Sequence, residues 1–119
     1  MKPINIAEKF KKITEYWSPK IAAELNGQQV KLAKLKGEFT RHQHDHEDEM
    51  FLVISGILKM EFDDRTEVIK PGEFIVVPKQ TYHKPIADEE VEVLLFEPAS
   101  TLNTGDSDDD RRLEELDWV

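Results

Sequence analysis

The chain contains no cysteine. Disulfide stapling, thiol catalysis and thiolate metal sites are therefore excluded, and any metal it binds has to be held by nitrogen and oxygen. Long apolar runs are also missing. None approaches the roughly 20 apolar residues that cross a bilayer, and the segment Met1–Phe10 lacks the apolar core of a secretory signal. A cytoplasmic location is the expectation. Positive charge is scarce, with 16 Lys and Arg against 25 Asp and Glu and a net charge of -9. A partner read through its phosphate backbone, which requires a basic face, is disfavoured. The acidity is uneven. Asp106–Val119 carries seven Asp or Glu and two Arg, so the body before it is only mildly acidic.

What is present fits one domain, since 119 residues can bury a single modest core. Asn5 with Glu8 three residues later has the spacing of a helix capping box. Ile6, Phe10, Ile13 and Trp17 then recur on one helical face, and Ser18-Pro19 ends the pattern. Residues 1–19 read as an N-terminal helix packing on the body or on a partner. From Pro19 onward the pattern is strand-like. Ile21–Leu25 and Gln28–Leu35 flank Asn26-Gly27, a pair suited to the positive φ angles of a type I′ turn. Further strands are expected at Phe39–His44, Glu49–Ser55, Ile57–Phe62, Arg65–Ile69, Glu73–Val77, Thr81–Ile86 and Val91–Glu97, with a turn at Ala87–Glu90. Short strands at turn intervals of about 8–12 residues indicate an all-β sandwich or barrel. That barrel is assigned to residues 20–105. Residues 106–119 form an acidic tail, in which Asp106–Asp110 reads as a solvated spacer and Arg111–Val119 as a short helix.

Three of the four histidines fall in Arg41–Gly56, R-H-Q-H-D-H-E-D-E-M-F-L-V-I-S-G. His42 and His44 are two apart, which on a strand puts both imidazoles on one face. Glu49 is five residues beyond His44, the wrong parity for an unbroken strand. Asp45–Asp48 must bend before Glu49 can face inward again. The second segment, Pro71–Pro85, reads P-G-E-F-I-V-V-P-K-Q-T-Y-H-K-P. Pro71-Gly72 makes a turn, Pro78 breaks the strand that follows, and His83 opens the next one. Three neutral imidazoles and one carboxylate suit one divalent transition ion: Mn, Fe, Ni, Cu or Zn. An octahedral ion with four protein ligands keeps two positions open.

The two segments resemble the paired motifs of the cupins. The first is similar to G-(X)5-H-X-H-(X)3,4-E-(X)6-G through His42, His44, Glu49 and Gly56, with Gly37 one residue closer than the pattern asks. The second is similar to G-(X)5-P-X-G-(X)2-H-(X)3-N through Gly72, Pro78 and His83, with Gln80 in place of the glycine and Ala87 in place of the asparagine. The resemblance covers about residues 30–97. It implies a double-stranded β-helix, the cupin jelly-roll barrel. It also implies metal ligands at His42, His44, Glu49 and His83, and a homodimer. The chain looks like the small single-domain, RmlC-like cupins labelled sugar-phosphate-isomerase-like.

His46 shares strand parity with His44 and is the alternative ligand; the family spacing to Glu49 favours His42 with His44. Thr40, Phe51, Val53, Met60, Phe62, Pro85 and Phe96 are candidates for the wall of a small-molecule pocket. Catalytic residues are not visible. Glu47 and Tyr82 are the proton carriers to consider, although Tyr82 adjoins His83 and should point away from it. No cluster of Arg or Lys adjoins the ligands, which disfavours a sugar phosphate. The expectation is a metal-binding small-molecule protein, an oxygenase or isomerase if it is an enzyme. A non-catalytic ligand-binding module and a metal-free epimerase-like protein are the alternatives.

Overall fold

The computed structural model describes all residues, Met1–Val119. Its elements are one helix, α1 (Ile6–Lys11), and seven strands: β1 (Lys20–Leu25), β2 (Gln28–Glu38), β3 (Glu49–Ser55), β4 (Leu58–Phe62), β5 (Thr66–Ile69), β6 (Phe74–Val77) and β7 (His83–Pro98). All strand pairing is antiparallel, in the order β1-β2-β7-β3-β6, with β4 joining β7 to β5. The result is the jelly-roll barrel expected of the sequence. Asn26 (φ 51°) and Gly27 (φ 77°) turn β1 into β2 with the two positive angles the Asn-Gly pair suggested.

β7 organises the barrel. It lies along β2 over nearly its whole length. On its other side, His83–Ile86 pair with β4 and Glu92–Phe96 with β3. The sequence reading had divided this strand with a turn at Ala87–Glu90. Those residues instead stay in the strand as an irregularity, the register stepping between Leu35↔Val91 and Gly37↔Ala87. The long pairing with β2 carries the chain across a sequence rich in turn-forming acids. Val53, Leu58, Met60, Ala87, Val91 and Val93 fill the barrel interior without exposed surface.

The N-terminal segment covers the outer face. Asn5 Oδ1 accepts from the Glu8 backbone N–H at 3.0 Å and caps α1. Phe10 and Ile13 bury themselves against Leu32, with Ile54 and Leu94 beside them. Only Ile6 and Phe10 of the expected stripe lie on the helix, which ends at Lys11. Trp17 is a separate element. At φ 58° it leaves helical geometry, donates from Nε1 to the Lys36 carbonyl at 2.9 Å, and stacks on Phe39 at 4.7 Å. Pairing with the barrel outweighs continuation of the helix, because Tyr16 bridges Lys34 and the Trp17 N–H bonds its carbonyl.

The C-terminal tail also departs from expectation. Arg111–Val119 contains no helix, and the acidic run is held on the barrel. Asp106 accepts from the Gln43 backbone N–H and from Tyr82 Oη. Arg111 spans Asp109 and the Glu38 carbonyl. Trp118 bridges to Ile21, and the Val119 N–H bonds the Ile21 carbonyl at 3.0 Å. Composition could not foresee these bonds, which supply partners for the backbone and arginine groups that a short helix would have left to solvent. No helix is long and apolar enough to cross a membrane.

Candidate metal centre

The two sequence motifs meet in one pair of residues. The His42 N–H bonds the His83 carbonyl at 3.0 Å, and the His83 N–H bonds the His42 carbonyl at 2.9 Å. Phe39–His44 does not form the regular strand expected of it, although Phe39, His42 and His44 all point inward and are buried. The reason is local. The Thr40 carbonyl accepts from the His42 ring at Nδ1, 2.9 Å away, and is taken from the ladder. Asp45–Asp48 makes the bend that the parity of Glu49 required. It is pinned at both sides: the Gln80 N–H donates to the His44 carbonyl at 2.7 Å, and the Lys79 N–H to Asp48 Oδ1 at 2.8 Å. Glu49 then enters β3 facing the interior.

His42, His44, Glu49 and His83 are all buried, and each offers a ligand atom within 4.8 Å of the others. The hydrogen bonds of two rings fix which nitrogen faces the centre. A carbonyl oxygen only accepts, so Nδ1 carries the proton in His42, toward Thr40, and in His83, toward Thr81 at 2.8 Å. In the neutral imidazole this leaves the Nε2 lone pair free. His44 Nε2 lies 2.8 Å and His83 Nε2 3.3 Å from Glu49 Oε1. None of these three buried atoms has a hydrogen-bond partner. A buried polar atom left unpaired costs on the order of 1–3 kcal/mol, so three around one point are explained by something that fills the point. Anchored rings with free lone pairs and one carboxylate are the donor set of a transition ion. The residues present fit a metal.

The electrostatics agree. Burial, followed by the neighbouring His83, lowers the pKa of His42 to about 4, so its ring is neutral at physiological pH. Burial raises the Glu49 carboxyl, while hydrogen bonds and charge from His44 and His83, which require a proton on Nε2, lower it; a metal at the same point would supply that positive charge in their place. His46 is exposed and outside the cluster.

A cavity of about 40 Å³ opens beside His42 and Glu49. Of the expected wall residues, Phe51 and Pro85 line it. Val53 and Met60 belong to the fully buried core, and Phe62 packs against that core. Phe96 lies on the opposite face of β7 from Leu95 and Glu97, and the Thr40 hydroxyl bonds Ser107. Val53 thus keeps the inward face it shares with Glu49 and Phe51 on β3, but it is packed in the core and does not line the cavity. Neither proposed proton carrier reaches the cavity. Tyr82 bonds Asp106 under the Arg41 guanidinium, and Glu47 accepts from Ser100. Trp17, Pro19, Asn103 and Leu116, from the two terminal segments, complete the wall.

Lys31 and Glu97 were missed. Both line the cavity, and Lys31 Nζ donates to Glu97 Oε2 at 3.1 Å. Lys31 is a single cation beside the cluster, where the expectation was only that no group of Arg or Lys adjoins it. Glu97 carried a signal, since it shares parity with Val91, Val93 and Leu95. Lys31 gave none, because Leu32 and Ala33 are buried on opposite faces of β2 and both parities read as inward. Pairing of Met50 with Phe96 sets Glu97 beside Glu49. Burial first, and then the Glu49 charge, raise its pKa well above the ordinary value, against the pull of Lys31. Gly105 was missed too. A Cβ there would lie 2.9 Å from His42 Cδ2 and collide with the Gln43 carbonyl.

A family model, the cupin domain, matches residues 28–97. The chain belongs to the cupin family. The crystal structure of a cupin-2 domain containing protein from Shewanella frigidimarina superposes with a TM-score of 0.79 at 42% identity, over 80% of this chain and 93% of that one. Protein NMB1881 from Neisseria meningitidis gives 0.75 at 31% identity, over 82% of this chain and 100% of that one. The uncharacterized protein YdbB of Bacillus subtilis is 38% identical over 63 residues, 52% of this cupin chain and 56% of that relative. The match thus spans little more than half of the curated relative's length.

Proposed function

We propose that this cupin binds one divalent transition metal (Mn, Fe, Ni, Cu or Zn) through His42, His44, Glu49 and His83, and that it binds a small molecule beside the ion. One observation carries the reading: buried, unpartnered His44 Nε2, His83 Nε2 and Glu49 Oε1 face one another, and Glu49 with His42 borders a cavity. A metal there would act as a Lewis acid and polarise an oxygen of the bound molecule. The chain's own part is physical. Thr40 and Thr81 orient two rings, the apolar wall excludes water, and β3 holds the carboxylate in place. An isomerase or an oxygenase would use such a site, and a ligand-binding module would use it without turnover. A metal-free epimerase with His83 as base is disfavoured by the convergence of unpartnered ligand atoms around it.

Elemental analysis of untagged protein tests the reading. The expected result is close to one metal per chain, lost in His44→Ala and Glu49→Ala, and lost from the wild type as acid protonates the imidazoles. A wild-type protein that stays empty after incubation with Mn, Fe, Ni, Cu and Zn would defeat it. Turnover of a diketone, thiol or sugar library by the loaded protein distinguishes an enzyme from a binding module.

A further inference from the structure

The barrel interior holds a second charged group that ligation of a metal does not require. Lys31 and Glu97 are each 2% exposed and paired with one another. Desolvating two charges commonly costs more than their contact returns, and apolar residues of similar volume hold an interior together at least as well. The pair is also incomplete. Glu97 Oε1 has no hydrogen-bond partner. Lys31 Nζ carries three N–H donors, and its one hydrogen bond to a side chain goes to Glu97. Both side chains border the cavity that reaches His42 and Glu49, and the walls between are apolar: Ala33, Leu35, Phe51, Val93 and Leu95. Polar valences left open in an apolar cavity are the means by which small-molecule sites orient their ligand.

Charge narrows the class of ligand. With a divalent ion in place, the ion and Lys31 outweigh Glu49 even with Glu97 ionised, so net positive charge is left over in an apolar interior. An anion offsets it. The space is small. A cavity of about 40 Å³ favours a compact acid over a sugar phosphate.

We propose that Lys31 and Glu97 are the ligand-positioning pair of this cavity, and that its ligand is a small carboxylate with a hydroxyl on the adjacent carbon. The carboxylate accepts from Lys31 Nζ, the hydroxyl donates to Glu97 Oε1, and the short carbon body lies against the apolar wall. The inference rests on the metal reading above. Without the ion, Glu49 and Glu97 offset Lys31, and no net positive charge is left to hold such a ligand.

Calorimetric titration of the metal-loaded protein with glycolate, lactate, hydroxyacetone and propionate tests it, with metal content measured on the same samples. Glycolate or lactate should bind at least tenfold more tightly than hydroxyacetone, which lacks the carboxylate, and than propionate, which lacks the hydroxyl. Lys31→Met should weaken lactate or glycolate at least tenfold with metal content unchanged. The proposal is overturned if neither acid binds the loaded wild type, if hydroxyacetone binds as well as lactate, or if Lys31→Met binds the acids like the wild type. Should Lys31→Met not fold, Glu97→Gln keeps the shape of the pair and removes the carboxylate that competes for Lys31. Propionate should then bind at least threefold more tightly, and unchanged propionate binding overturns the proposal. A wild type without metal defeats the metal reading and this one with it. A wild type with metal but no affinity for either acid defeats this one alone.

Discussion

His42 should make the metal-free protein sensitive to mild acid, by an amount the structure sets. Its ring is 2% exposed, and burial with the nearby His83 lowers its pKa from 6.5 to about 4. The unfolded chain therefore takes up a proton on His42 at a pH where the folded chain refuses it. The stability due to this residue is complete above about pH 6.5. It falls as the pH drops toward 4 and changes no further below that. Linkage over that shift gives a loss of about 2 kcal/mol between about pH 7.5 and pH 5, and of about 3 kcal/mol in all. Glu97 works in the opposite direction, since its raised pKa means that stability is gained as the pH falls. The total pH profile therefore mixes signs, and the informative quantity is a difference. His42→Asn keeps an amide N–H where Nδ1 donates to the Thr40 carbonyl and removes the titrating ring. Urea unfolding of chelator-stripped protein at both pH values would measure it. The wild type should lose about 2 kcal/mol more than the variant. Parallel profiles would show that the His42 ring titrates normally, and the account of a neutral, desolvated ligand would fail.

Three further outcomes are expected. Gly105→Ala places a methyl group against the His42 ring and the Gln43 carbonyl. It should cost about 2 kcal/mol in thermal unfolding and weaken metal retention about tenfold; unchanged retention would show that the Gly105 turn does not support the His42 ring. Gln80 holds φ 62° where the family motif has glycine, so Gln80→Gly should relieve strain of about 1–2 kcal/mol, less its larger unfolded-state entropy. The net gain of about 0.5–1 kcal/mol would be read from the urea midpoint. β6 leaves one edge unpaired and exposes Phe74 and Val76 at 62% and 51%. If a second copy covers this edge, as the expected homodimer requires, Phe74→Lys with Val76→Lys should convert a dimer into a monomer by light scattering at tens of micromolar; a wild-type monomer would refute it.

Candidate ligands in the first segment were legible because side-chain alternation is local. It puts His42 and His44 on one side even though Phe39–His44 forms no regular strand. The parity of Glu49 demanded a bend, and Asp45–Asp48 supplies one. The Asn26-Gly27 turn and most strand limits followed from backbone preferences that belong to single residues. The absence of cysteine restricted the donors before any geometry was known. The sequence alone thus pointed to the barrel and to the four residues that the fold gathers into one buried cluster.

The surroundings of those ligands were settled only by tertiary contacts. The acidity of Asp106–Val119 suggests a chain in water, yet partners 63 and 24 residues away, Gln43 and Tyr82, hold Asp106 in place. Trp17 had the right spacing for a helical face, but stacking on Phe39 moved it to the cavity wall. Lys31 reads as a surface lysine in a strand buried on both faces. Its burial depends on Glu97, which is distant in sequence and brought near by the pairing of β2 with β7. Local spacing sets which face of an element a side chain takes. What that face meets is a property of the closed barrel, where desolvation and partner charge decide whether a carboxylate is an ion, an acid or a hydrogen-bonding hook.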